Sequence, residues 1–99
     1  MSNKAYPDKK TSELFEAILK LKNKEEATRF FRDLLTTAEI KEFSNRFQAA
    51  KLLNQGSSYL KVAEKLKMST TTVSRVAHWL FRGRNGYKLI LKRLKNSPK

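Results

Sequence analysis

The chain has 99 residues and is 39% hydrophobic, which suits one compact soluble domain with short tails. It carries 22 Lys+Arg against 9 Asp+Glu, a formal charge of +13, so polyanions are its natural partners. It has no cysteine, no apolar run near the ~20 residues of a membrane span and no apolar leader, so disulfides and thiolate chemistry are excluded and a cytoplasmic, membrane-free protein is expected.

Residues 1–10 read as a flexible basic arm: Pro7 interrupts them, no periodicity is visible, and Lys4, Lys9 and Lys10 supply the charge. A single helical domain is expected over 11–95, followed by a tail over 96–99. The spacing of Leu14, Phe15, Ile18 and Leu19 predicts a first helix from Thr11. Asn23 and Glu26 resemble a capping pair that opens a second, with Ala27, Phe30, Phe31 and Leu34 on its apolar side. Thr36 and Glu39 form a capping box for a third, whose apolar residues include Ile40, Phe43, Phe47, Ala49, Ala50, Leu52 and Leu53. Gly56 ends that helix, as glycine at C′ commonly does.

Two short helices follow. Ser57–Ser58 cap the first, with Tyr59, Val62, Ala63 and Leu66 as its inward stripe; Ser69 caps the second, with Val73, Val76, Ala77 and Leu80 inward. The stretch Gly83–Gly86 breaks the chain, and a last helix turns Tyr87, Ile90, Leu91 and Leu94 inward and Lys88, Lys92 and Lys95 outward. No segment alternates like a strand, so the fold class is all-α with about six helices.

Charge and apolar mass are unevenly shared. Residues 60–99 hold 11 basic side chains against one acid, Glu64, whereas five of the six phenylalanines lie between Phe15 and Phe47. The first half therefore reads as a packing module and the second as a docking module. Slender helices with wide apolar stripes have little to bury against in one small chain, which favours a core shared by two copies over a self-closed monomer.

The window 59–78 fits a helix-turn-helix, in which apolar anchors fix the crossing of two short helices around a tight turn. Val62 and Ala63 stand where the helices touch; Leu66, Met68, Val73 and Val76 fill the remaining anchor places. The turn position that usually takes glycine is Lys67, at a cost of roughly 1 kcal/mol if its backbone is left-handed. The outward face of the second helix is then Thr71, Ser74, Arg75, His78 and Arg82. Short polar side chains near a helix start suit close approach to base edges, and Arg75 has the reach for a bidentate pair with guanine or a phosphate clamp. Ser58, Ser69, Thr70 and Thr72 stand at helix starts, where free N–H groups bind phosphate; their plainer reading is capping and solvation. Arg84 and Lys88 extend the candidate phosphate contacts.

His78 is the only histidine, which leaves no basis for a metal site, and no nucleophile elbow or Gly-rich phosphate loop occurs. Neither a cofactor nor an enzymatic activity is expected.

Taken together, Leu35-Thr36-Thr37-Ala38-Glu39, Arg46, Leu52-Leu53-Asn54-Gln55-Gly56, Ser58-Tyr59 to Leu66 and Thr72-Val73-Ser74-Arg75 resemble the tryptophan repressor superfamily, especially its repressor-related branch. The likeness covers about residues 30–82. It implies an intertwined homodimer of six helices per chain whose reading heads meet successive major grooves. It also implies a vestigial ligand pocket: Arg46 and Arg75 match the arginines that flank a bound indole, and Thr36 matches a wall threonine. Val76 and Trp79 depart from the pattern, standing where the family has a glycine and a serine, and both fill room that a ligand would need. Free tryptophan is therefore expected not to bind, with Trp79 packed into or over the pocket.

The expected function is a sequence-specific transcriptional regulator, a repressor by steric occlusion, acting on double-stranded DNA as a homodimer. The alternatives are a nonspecific architectural nucleic-acid binder, which the charge alone would serve, and a protein-interaction adaptor.

Overall fold

A computed structural model describes residues 5–96; Lys4 of the expected arm and residues 97–99 of the expected tail lie outside the described residues. Among the described residues the chain forms six helices and no strand: α1 (Lys9–Ile18), α2 (Lys24–Leu34), α3 (Thr37–Asn54), α4 (Tyr59–Leu66), α5 (Thr70–Arg82) and α6 (Gly86–Asn96). They fall into two compact units, one up to Ile40 and one from Lys41, where the sequence suggests a single domain from 11 to 95.

In the N-terminal unit, α1 opens two residues earlier than periodicity predicts, so Lys9 and Lys10 are helical and not part of an arm. The cause is local: Asp8 Oδ1 accepts from the Thr11 N–H at 2.8 Å, a cap that turns Lys9 into the first helical residue. That hydrogen bond also holds the Asp8 carboxyl below its ordinary pKa. For α2, Asn23 Oδ1 accepts from the Glu26 N–H at 2.9 Å while Glu26 Oε1 accepts from the Lys22 N–H at 2.9 Å. The box before α3 is fully reciprocal, with Glu39 N–H donating to Thr36 Oγ1 at 3.0 Å and Thr36 N–H to Glu39 Oε1 at 2.9 Å. Three good caps thus shape a unit that has little core of its own: no side chain of α1 or α2 is buried.

The core lies in the second unit. Ala49, Ala50 and Leu53 of α3 pack with Val62 and Ala63 of α4, with Val73, Val76, Ala77 and Leu80 of α5, and with Leu91 of α6. Val62, Val73, Val76 and Leu80 are its largest fully buried side chains, each stabilising the fold by about 1.5–3 kcal/mol. Small residues at the crossings (Ala49, Ala50, Ala63 and Ala77) let slender helices approach closely enough for a few valines to fill the space. Not every expected core residue joins them. Tyr59, Ile90 and Leu94 are well exposed, because only one stripe of α4 and of α6 meets the valine core.

Candidate nucleic-acid interface

Two helix ends set the docking head. Helix α3 stops at Gly56, whose φ of +98° is a left-handed conformation suited to glycine; Ser57 N–H donates to the Leu52 carbonyl at 3.1 Å and Gly56 N–H to Leu53 at 3.0 Å. Helix α4 ends in the same hydrogen-bond pattern without glycine. Lys67 takes φ 56°, ψ 46°, Met68 N–H reaches the Ala63 carbonyl at 3.0 Å, and Met68 packs on the core beside it. The reversal that the helix-turn-helix requires is therefore built on a left-handed lysine.

Beyond the turn, Ser69 starts α5: its Oγ accepts from the Thr72 N–H at 3.1 Å and donates to Thr72 Oγ1 at 2.9 Å. Ser58 caps α4, accepting from the Lys61 N–H at 3.2 Å. These three hydroxyls are occupied by capping, which leaves Thr70, Thr71 and Ser74 as the exposed short polar residues of α5. The stripe Val73, Val76, Ala77 and Leu80 is buried, so Thr71, Ser74, Arg75, His78 and Arg82 all project outward, as their spacing requires. Arg75, His78 and Arg82 make no hydrogen bond or ion pair with any described residue. Lys88 on α6 sets its ammonium 5.5 Å from the Phe81 ring, while Arg84 lies in the exposed link between α5 and α6.

Electrostatically this unit is one-sided. From Lys41 to Asn96 it has 13 basic side chains and two acids, Glu42 and Glu64. Glu42 is committed to Arg46 in an ion pair of 2.7 Å, and α5 itself contains no carboxylate. Such a surface attracts a polyanion and repels other cations.

Within the second unit, the residues of the expected vestigial pocket divide between core and surface. Arg46 lies between two rings, 5.5 Å from that of Phe43 and 5.6 Å from that of Trp79, and is paired with Glu42. Val76 is wholly buried in the core, and Arg75 points away from it into solvent. Thr36 is engaged in its capping box at the start of α3. Tyr87, half-buried near Arg46, has its phenol pKa raised by burial, which the arginine's charge partly offsets. Phe43 was not among the expected site residues; its place three positions before Arg46, on the same helix face, was the available signal. Among the described residues no group of His, Cys, Asp and Glu could hold a metal, and no helix is long and apolar enough to cross a membrane.

Six helices, a left-handed turn between α4 and α5 and an acid-free cationic face define a small helix-turn-helix protein. The chain belongs to the Trp repressor protein family, whose pattern matches residues 9–95. It is 39% identical to the uncharacterized protein YerC of Bacillus subtilis over 89 residues, 90% of this chain and 86% of that one. The crystal structure of a TrpR-like protein from Eubacterium eligens matches with a TM-score of 0.85 and 42% identity, covering 94% of this chain and 96% of that one. A candidate Trp repressor from Staphylococcus aureus matches with a TM-score of 0.82 and 41% identity, over 91% of this chain and 90% of its own. The family is one of helix-turn-helix DNA-binding regulators, and the resemblance read from the sequence holds at that level.

Proposed function

We propose that this chain is a sequence-reading transcriptional regulator that binds double-stranded DNA as a homodimer and represses by occupying operator DNA. The observation that carries the reading is the outward face of α5: Thr71, Ser74 and Arg75 near its start, then His78 and Arg82, all exposed and free of acids. Short polar side chains at the start read base edges in the major groove, and Arg75 pairs with a guanine. Arg82, Arg84 and Lys88 neutralise phosphates, as do the helix starts at Ser58 and at Ser69 to Thr72. The protein works where its DNA is, in the cytoplasm, and no catalytic step enters.

Support for a homodimer comes from the N-terminal unit, which buries no side chain of α1 or α2 and leaves Phe15, Leu19 and Leu34 exposed. Apolar residues on capped, well-formed helices need a cover, and a second copy supplies one. Paired heads then require half-sites about one helical turn apart, roughly 34 Å.

The reading test is selection from random duplexes at about 150 mM salt. Enrichment of a palindrome with that spacing is expected; binding that ignores sequence and vanishes as salt rises would leave only the architectural role. Free tryptophan is no part of the mechanism, because Arg46 is already held between Phe43 and Trp79 and paired with Glu42. Titration calorimetry with tryptophan is expected to give no heat of binding, and micromolar affinity would refute this.

A further inference from the structure

Two aromatic rings on the docking face have no role in reading bases. Tyr59 is 46% exposed and Phe81 51%, on a surface otherwise composed of short polar and cationic side chains. They border one shallow cleft between the start of α4 and the C-terminal half of α5, lined by Tyr59, Ser74, Ala77, His78, Phe81 and Arg82. Its walls are apolar rings. Its polar groups are the Ser74 hydroxyl, the imidazole and a guanidinium with no ion-pair partner among the described residues, and Lys88 sets a second cation over the Phe81 ring. No carboxylate lines it.

That combination suits a ligand with an apolar ring face joined to a compact anion. A protein partner's acidic side chain would satisfy the cations but would not use two ring walls, whereas a sugar-phosphate uses both. Position decides between a base and the backbone. Arg75 and Arg82 are seven residues apart, two helical turns less about 20°, so they share a face some 10 Å from one another along the axis. The major groove is about 12 Å wide. When Arg75 reaches base edges, Arg82 and the end of the cleft away from Ser74 therefore stand at the groove wall, where the backbone runs.

From this we infer that the cleft seats one nucleotide of the DNA backbone, its deoxyribose against Tyr59 and Phe81 and its phosphate on Arg82. The inference rests on the DNA-reading function proposed above and adds Tyr59 and Phe81 to the contact surface. Their contact is blind to sequence and fixes the register in which Ser74 and Arg75 read.

Fluorescence anisotropy on the selected duplex and on a scrambled one tests it. Tyr59→Ala and Phe81→Ser are expected to weaken both complexes by a similar factor, leaving the ratio between duplexes unchanged, while Tyr59→Phe binds normally. Because both rings are half-exposed, circular dichroism should show unchanged helicity in each variant. A second measurement leaves the protein intact: a single neutral methylphosphonate is walked along the strand flanking each half-site. At one position it should cost the wild type roughly ten-fold, the scale of one charge-assisted contact, and cost Arg82→Gln under about two-fold. Ring variants that bind like the wild type, that shift preference at one base pair, or that change the protein's mass in solution overturn the assignment. So does a full methylphosphonate penalty in Arg82→Gln. If the wild type selects no duplex, the regulator reading itself fails; if it selects one and the variants behave normally, only the cleft's role is lost.

Discussion

Lys67 carries a conformation that ordinary residues avoid, and it does so in the turn that sets the angle between α4 and α5. At φ 56°, ψ 46° a β-carbon crowds its own backbone, costing about 1–2 kcal/mol. Two hydrogen bonds and the seat of Met68 on the core offset that strain. Glycine would relieve it but would add about 0.4–1 kcal/mol of unfolded-chain entropy. Relief is the larger effect, so Lys67→Gly should stabilise the protein by about 1 kcal/mol, read as a higher urea midpoint at constant m-value. Equal or lower stability would mean that the lysine side chain itself supports the turn. Position 67 was readable from sequence because the surrounding anchors fix which residue must turn. Tyr59 was not: Tyr59 and Leu60 are adjacent apolar residues at the start of an eight-residue helix, and periodicity gave no reason to turn the first outward.

At the scale of elements, caps and glycines define the boundaries more sharply than periodicity does. Asn23, Thr36, Ser58 and Ser69 each open the helix expected of them, whereas Ser57 is not the cap of α4, and the early start of α1, ahead of Thr11, comes from Asp8, whose role no apolar pattern signals. At the other end of α5, Gly83 follows the helix with its N–H still bonded to the Trp79 carbonyl at 3.0 Å. A β-carbon there would sit 2.3 Å from that carbonyl oxygen, and backbone cannot move aside cheaply. Gly83→Ala should therefore distort the last turn of α5 and destabilise the protein by about 2 kcal/mol, the usual cost of forced overpacking. Trp79, the chain's single tryptophan, offers a direct readout, since its fluorescence should change as the ring shifts from Arg46. A variant with unchanged stability and emission would show that the helix extends by one residue to absorb the methyl group.

At the scale of the whole molecule, the basic excess of residues 60–99 was visible in the sequence, although the packing core lies in that same C-terminal unit and not in the phenylalanine-rich first half. Which aromatics are covered was not, because periodicity reports a face and not what lies opposite it. Phe15 is the sharpest case: it stands on the apolar side of α1, 40% exposed, with the Tyr6 ring edge-on at 6.4 Å. In a monomer closed on itself, replacing so exposed a ring by glutamate costs little. Beneath a second chain the same carboxylate would have to be buried without a partner, at a cost of several kcal/mol per chain and twice that per dimer. For the homodimer proposed above, Phe15→Glu is expected to lower the sedimenting mass from twice 11.5 kDa to 11.5 kDa while α4 and α5 stay folded around their own valine core. Operator affinity should then fall by about 10²-fold or more, since two tethered heads become two independent ones. Binding to an isolated half-site should change little. If the variant keeps the wild-type mass, α1 is not part of the shared surface and the cover for Phe15, Leu19 and Leu34 must come from elsewhere.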